Sequence, residues 1–297
     1  MAGLFAFSKM FPDEQSCIEY YEKQRWGDNV VSPFDPTSKV YKRKDGTYRC
    51  SKTGRNFDVK TGTMFARTKL PLRHWFYAMF MFLSHKRGMS SCQLARDLGV
   101  TQKTAWFMLH KIRECMDCEN THQLDTDVEI DETFVGGKNK NRHRDKKVEK
   151  SQGRSFKDKV PVFGMYQRGG KLIAKVVRDT KAATLSPLLS QYVITNSRIY
   201  TDGWDYGDVN SCYTQMSVDH GIGFYGTTLT DEKGNCTMIC TNGIENAWSH
   251  LKRTIFGTYY HVSKKHLQRY VDEFTFRFNT RNIGDIERFE LFLHNAA

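Results

Sequence analysis

Three carboxylates in this sequence stand where phosphoryl-transfer chemistry could use them. Asp131 lies in Asp127-Val128-Glu129-Ile130-Asp131-Glu132-Thr133-Phe134-Val135-Gly136-Gly137. Alternation there predicts a strand with Glu129, Asp131 and Thr133 on one face and Val128, Ile130 and Glu132 on the other. Asp202 ends a second strand-like run, 197–201, and is followed by Gly203-Trp204. Glu245 falls in Asn242-Gly243-Ile244-Glu245, which starts a helix, and Lys252 shares its face seven residues later. Two aspartates on neighbouring strands plus a carboxylate from a later helix suit two-metal chemistry. Mg²⁺ prefers oxygen ligands and is usually held by one or two carboxylates, several waters and a substrate phosphate. Two such ions about 3.5–4 Å apart activate the attacking oxygen and stabilise the leaving one. Lys252 would reach a phosphate beside them. With 33 Asp plus Glu in the chain, spacing alone also admits solvated strand-edge and turn aspartates.

The elements that must position these residues follow from composition. Residues 1–66 are turn-rich, with brief strand-like pieces at 39–42, 48–50 and 56–59. Residues 67–120 read as helices: an apolar one over 75–85, then Ser90-Ser91-Cys92-Gln93-Leu94-Ala95-Arg96-Asp97-Leu98-Gly99-Val100-Thr101 and a second helix over 102–113. Ser90 and Thr101 as caps and Gly99 as a stop describe helix, tight turn, helix. In a helix-turn-helix the second helix enters the DNA major groove. Gln102, Lys103 and Thr104 are then the base-edge candidates, with Trp106, Phe107, Leu109 and Ile112 packing inward. The bland alternative is a bundle corner. Residues 121–297 read as strand, hairpin (160–167 and 171–178 around Arg168-Gly169-Gly170), helix (182–193), strand and C-terminal helices. In the last stretch, 267–281, Tyr270, Phe274 and Phe278 form an apolar stripe under a basic outer face of Arg269, Arg277 and Arg281, which suits core cover or a dimer surface.

The chain has 297 residues and 45 Lys plus Arg against 33 Asp plus Glu, a formal charge of +12. That surplus favours a polyanionic partner, most simply nucleic acid. Hydrophobic residues at 39% and aromatics at 13% exclude a disordered chain. The apolar run 75–83 is far short of the roughly 20 residues that cross a bilayer. The N-terminus lacks a signal-peptide pattern. Eight scattered cysteines read as reduced thiols. A soluble, cytoplasmic protein is expected, nucleoid-associated if bacterial, with no membrane partner. Residues 138–159 hold ten Lys/Arg against Asp145, Glu149 and Asp158, a net +7. This run is either a solvated loop or a phosphate-contacting segment, and its place after the first carboxylate strand favours contact through Lys138, Lys140, Arg142 and Arg144. Trp204 and Trp248 fit core packing better than base stacking. The Cys115/Cys118 and Cys236/Cys240 spacings are ligand-like, but they read as core thiols.

The sequence resembles the DDE insertion-sequence transposases with a ribonuclease-H-like integrase core, in the branch with an N-terminal zinc ribbon. The stretches that carry the resemblance are KLPLRHWF, SSCQLARDLGVTQKTAWFMLHKIR, EIDETFVGGKNKNRH, YTDGW, TNGIENAWSHLKR and GTYYHVSKKHLQRYVDEFTFRFNTR. They stand in the family's order and cover nearly all of the chain from about residue 40. The resemblance implies an α/β fold: a mixed sheet flanked by helices, preceded by a helix-turn-helix (67–120) and a small β-rich ribbon remnant (1–66), with the core over 121–297. It places the catalytic and metal-binding acids at Asp131, Asp202 and Glu245, with Asn242 or Asn246 as alternatives for the third, and a basic residue at Lys252. Two Mg²⁺ (or Mn²⁺) ions and double-stranded DNA, both element ends and target, are implied, as is a homodimer or higher assembly on DNA. Lys252 and Arg253 would face the DNA.

One departure concerns the ribbon. Its two metal knuckles fall on Ser32-Pro33-Phe34-Asp35 and Cys50-Ser51-Lys52-Thr53, where only Cys50 keeps a thiol. A structural zinc site needs four good ligands, so no zinc is expected. Tyr41, Tyr48 and Phe57 are the candidate core of a metal-free ribbon. The implied activity is DNA cleavage at the element's ends and joining of the 3′-hydroxyls to target DNA. The rivals are a catalytically silent DNA-binding derivative and a structure-selective nuclease.

Overall fold

The computed structural model describes residues 3–117, 123–136, 143–148, 158–202, 212–217, 226–230 and 236–296. They divide into two compact units, Met1–Cys118 with Asn282–Ala297, and Glu119–Arg281.

The first unit begins with α1 (Leu4–Met10) and α2 (Glu14–Trp26), where the sequence reading saw only turns and strand pieces. Asp13 caps α2 by accepting from Ser16 N–H at 2.8 Å. The small sheet follows: β1 (Val40–Lys42), β2 (Tyr48–Cys50) and β3 (Asn56–Phe57), in order β1-β2-β3 and antiparallel. Tyr48, Cys50 and Phe57 are buried there with Trp26, Val30, Phe34 and Val40 packed around them. Tyr41, expected in this core, is 57% exposed, because alternation along β1 turns it to the side opposite Val40.

Next come α3 (Leu72–Ser84), α4 (Ser91–Leu98) and α5 (Gln102–Glu114). Ser90 and Thr101 cap α4 and α5 by accepting from Gln93 N–H and Thr104 N–H. Gly99 takes the left-handed conformation, φ +66°, that ends α4. Leu109 and Ile112 are buried as expected, but Trp106 and Phe107 are 40% and 51% exposed. The helical period puts Ala105, Met108, Leu109 and Ile112 on the inner stripe, leaving 106 and 107 outside it. The last helix, α9 (Asp285–Asn295), belongs to this unit rather than to the core. Phe289 packs edge-on against Phe7 and Phe76, at centroid distances of 5.0 and 5.3 Å.

The second unit is a mixed sheet in order β6-β5-β4-β7-β8. The strands are β4 (Asp127–Gly136), β5 (Lys159–Gln167), β6 (Leu172–Val176), β7 (Arg198–Thr201) and β8 (Thr214–Ser217). β4, β5 and β6 pair antiparallel, whereas β4–β7 and β7–β8 are parallel. The β5–β6 hairpin turns at Gly169, φ +71°. On one face, Val128, Ile130, Phe163 and Ile199 form a core with Leu185 and Leu189 of α6 (Ala182–Tyr192). On the other, Val135, Val162 and Ala174 pack with α7 (Asn242–Thr254) and α8 (Leu267–Asn279). A separate antiparallel pair, β9 (Thr227–Thr230) and β10 (Cys236–Ile239), leads into α7. Within α8, Phe274 is buried. Arg277, expected on an outer face, instead pairs with buried Glu273 at 3.1 Å.

Candidate active site

Period-2 alternation along β4 sends Val128 and Ile130 under α6, so Glu129, Asp131, Thr133 and Val135 face α7. The parallel register pairs Glu129 with Tyr200. Asp131 stands two residues beyond Glu129 on β4, and Asp202 stands two residues beyond Tyr200, immediately after β7 ends at Thr201. Both aspartates are half-buried. Glu245 is an exposed first-turn residue of α7, and its Oε1 accepts from the Thr241 hydroxyl at 3.0 Å.

Electrostatics tie the three together. Burial pushes the Asp131 carboxyl up to about 7, and the charges of Asp202, Glu132 and Glu245 push the same way against the Glu132 N–H. Desolvation lowers the Lys252 ammonium, with Lys159 acting in the same sense and Asp131 opposing. Asp131 therefore lies within electrostatic reach of Asp202, Glu245 and Lys252. Among the described residues no three His, Cys, Asp or Glu side chains form a ready-made cage for one ion. An ion held by one or two carboxylates, water and substrate phosphate needs no such cage. An all-oxygen donor set with excess negative charge suits Mg²⁺ or Mn²⁺ rather than a thiophilic metal.

The alternative third-acid positions, Asn242 and Asn246, are exposed on α7. Trp248, weighed as a stacking platform, is buried over Gly164, where a Cβ would overlap its indole ring. Gly164 pairs with Asp131 across β4 and β5, so this close approach seats α7 on β5, directly beside the strand that carries the aspartate. Trp204 lies outside the described residues.

Of the expected DNA-facing residues, Gln102 and Lys103 are exposed, and Gln102 Nε2 donates to Ser91 Oγ at 2.8 Å. Thr104 is half-buried, its hydroxyl 2.8 Å from that of Thr101. Lys252 and Arg253 are exposed at the end of α7, and Arg144 is exposed in a short 3-10 turn. Lys138, Lys140 and Arg142 lie outside the described residues, as does Cys118. Cys115 donates to Met64 Sδ at 3.9 Å, and Cys240 Sγ accepts from Arg168 at 3.7 Å.

Two residues of this site carry little signal of their role in the sequence. The sequence puts Glu129 on the Asp131 face and Arg168 in a hairpin turn, and the structure joins them in an ion pair of 2.9 Å beneath the start of α7. The signal available was Glu129's two-residue spacing from Asp131.

Comparison with known proteins gives concordant results. Residues 123–279, just over half the chain, match the ISXO2-like transposase domain. A protein of Halobacterium salinarum, described as an uncharacterized protein in transposable element ISH50, is 30% identical over 235 residues, covering 73% of this chain and 78% of that one. A Haemophilus influenzae protein, described as an uncharacterized transposase-like protein, is 30% identical over 116 residues, 38% of this chain and 85% of its own length. No solved structure matches the chain.

Proposed function

Because the chain belongs to the DDE-type insertion-sequence transposases with the ISXO2-like domain, we propose that it cuts DNA at the ends of its element and joins the freed ends to a target. The observation that carries this reading is the convergence of negative charge on Asp131 from Asp202 and Glu245, three acids from separate elements. The five-stranded mixed sheet flanked by helices is compatible with a ribonuclease-H-like core. Asp131, Asp202 and Glu245 would hold two Mg²⁺ or Mn²⁺ ions. When bound, these supply activation of the attacking oxygen and charge neutralisation at the phosphate.

The chain's own task is placement. β4 carries Asp131, β7 ends immediately before Asp202, α7 brings in Glu245, and Lys252 would offer its ammonium to a phosphate oxygen. In the first step water attacks the phosphodiester at the element's end; the P–O3′ bond breaks and leaves a 3′-hydroxyl. In the second, that hydroxyl attacks a target phosphodiester, one P–O bond forming as another breaks, so no ATP is needed. The α4–α5 pair, with Gln102 and Lys103 outward, would grip double-stranded DNA as a helix-turn-helix. Arg253 and the basic run from Lys138 to Arg144 would add phosphate contacts. Two copies would bring both ends together. The ribbon region would work without zinc.

The test is incubation of the purified protein with labelled DNA bearing the element's ends and a supercoiled target. Mg²⁺-dependent end cleavage and joined products, both lost in Asp131→Ala without loss of DNA binding, are expected. Cleavage without joining would make the protein a nuclease; tight binding without cleavage under any metal would make it a DNA-binding derivative.

A further inference from the structure

The base of α7 holds a polar cluster that the proposed chemistry does not itself use. Glu129 is buried, with only 3% of its surface exposed. One carboxylate oxygen, Oε1, accepts from Arg168 Nε at 2.9 Å. The other, Oε2, accepts from the Ile244 backbone N–H at 2.9 Å. Ile244 is the third residue of α7, so its amide is one of the four that the helix cannot satisfy internally. Thr241, the residue at the cap position, makes no side-chain capping bond; its hydroxyl goes to Glu245 instead. Glu129 thus replaces the missing cap from a different element, with a full negative charge at the positive end of the helix.

Arg168 completes the grip. Its Nη1 donates to the Met238 carbonyl at 2.6 Å and its Nη2 to the Cys240 carbonyl at 2.7 Å. Its guanidinium lies over the Tyr200 ring, 3.7 Å from the centroid. The Arg168 backbone N–H donates to the Asp127 carbonyl at 2.9 Å. One side chain therefore ties the strand leading into α7 to β4 and β7. Gly243 allows the close fit: a Cβ there would overlap the Tyr166 ring and stand 2.8 Å from Glu129 Oε2.

These contacts meet at one place. Glu129 is two residues before Asp131 on the same face, about 7 Å along the strand, and pairs with Tyr200, two residues before Asp202. The amide it holds belongs to the residue immediately before Glu245.

We propose that Glu129 and Arg168 are positioning residues: together they clamp the first turn of α7 to the two aspartate-bearing strands, and so set the distance from Glu245 to Asp131 and Asp202. The proposal rests on the reading of these three acids as a divalent-cation site. The buried Glu129 carboxylate is accommodated because both of its oxygens are hydrogen-bonded, and the geometry it fixes is of the kind in which an error of about 1 Å lowers rate by about 10²-fold.

The test is Mn²⁺ binding by calorimetry on the full-length protein, beside end cleavage and DNA affinity. Glu129→Ala and Arg168→Ala should weaken Mn²⁺ binding and cleavage by at least about tenfold while DNA affinity stays within about twofold. Glu129→Gln keeps an acceptor for the Ile244 amide and should fall between wild type and Glu129→Ala. Arg168→Lys keeps charge but loses the fork, and should behave more like Arg168→Ala. Hydrogen exchange should quicken at residues 242–246 in the Glu129→Ala protein and be restored toward wild type by Gln. If an alanine variant does not fold, the Gln and Lys variants carry the test. Folded variants that bind Mn²⁺ and cleave as wild type does would overturn the clamp alone. Wild type that binds no Mn²⁺ with or without DNA would overturn the three-acid site, and the clamp with it.

Discussion

At the end of β2, the Cys50 sulfur is approached by the hydroxyls of Ser32, Ser38 and Thr53, which hold its thiol low, at about 6. On β4, burial holds the Asp131 carboxyl high, and the charges of Asp202, Glu132 and Glu245 push it the same way. Both places gather polar side chains from separate segments of chain, one where the resemblance puts a structural metal and the other where it puts catalytic ions. The first is satisfied from within. Ser32 Oγ accepts from the Phe34 and Asp35 amides at 3.2 and 3.4 Å, and Lys52 pairs with Asp35 at 3.2 Å across the two turns. The second gathers like charges, whose repulsion a cation would relieve. On the proposed reading, hydrogen bonds would serve the first place without a metal, whereas the second would need a cation to neutralise its charge.

That contrast can be broken at either end. The largest effect is expected from the triple substitution Ser32→Cys, Asp35→Cys and Thr53→Cys, which would put four thiols, with Cys50, on the two turns. The triple variant should bind one zinc per chain, against none in wild type by elemental analysis, and its melting temperature should rise by several degrees and fall again with chelator. One equivalent of zinc in the wild type would contradict the hydrogen-bonded account of this region. A smaller effect is expected of Ser32→Ala. Losing an acceptor for two backbone amides and a donor to Cys50 should lower stability by about 1–2 kcal/mol in denaturant unfolding, with no change in end cleavage. A loss of cleavage there would mean that the β1–β3 region takes part in chemistry.

The strand that carries Asp131 is more legible in the sequence than the region around Cys50, for physical reasons. Alternation along β4 puts Asp131 on the face opposite Val128 and Ile130, as in the structure, because successive strand side chains point to opposite faces. Caps and a stop residue fixed α4 and α5 because those signals are local. α2 was missed: its EQSCIEYYEKQRW pattern buries only Cys17 and Tyr21, so no apolar stripe announces it. Trp106 and Phe107 were assigned inward by residue type, whereas position on the helix decides. The placement of α9 depends on contacts between Phe289 and rings more than 200 residues away, beyond any local pattern. Glu129 was on the right face, but its partner Arg168 comes from a distant turn and its third contact is a backbone amide, which no sequence motif displays.

The central claim is that Asp131 sits among like charges that a divalent cation relieves, and thermal unfolding against pH measures this directly. In the unfolded chain Asp131 ionises near its ordinary 3.8; in the fold it stays protonated until about 7. Between those values the native state holds the extra proton, so its contribution to stability is full below about pH 4, falls as pH rises, and is lost above about pH 7. Asp131→Asn should remove this slope and be the more stable protein at pH 8, by on the order of 1–4 kcal/mol. Mg²⁺ or Mn²⁺ should restore much of that stability to wild type at pH 8 and give Asp131→Asn little. Parallel pH profiles for the two proteins, with the same response to metal, would contradict the claim.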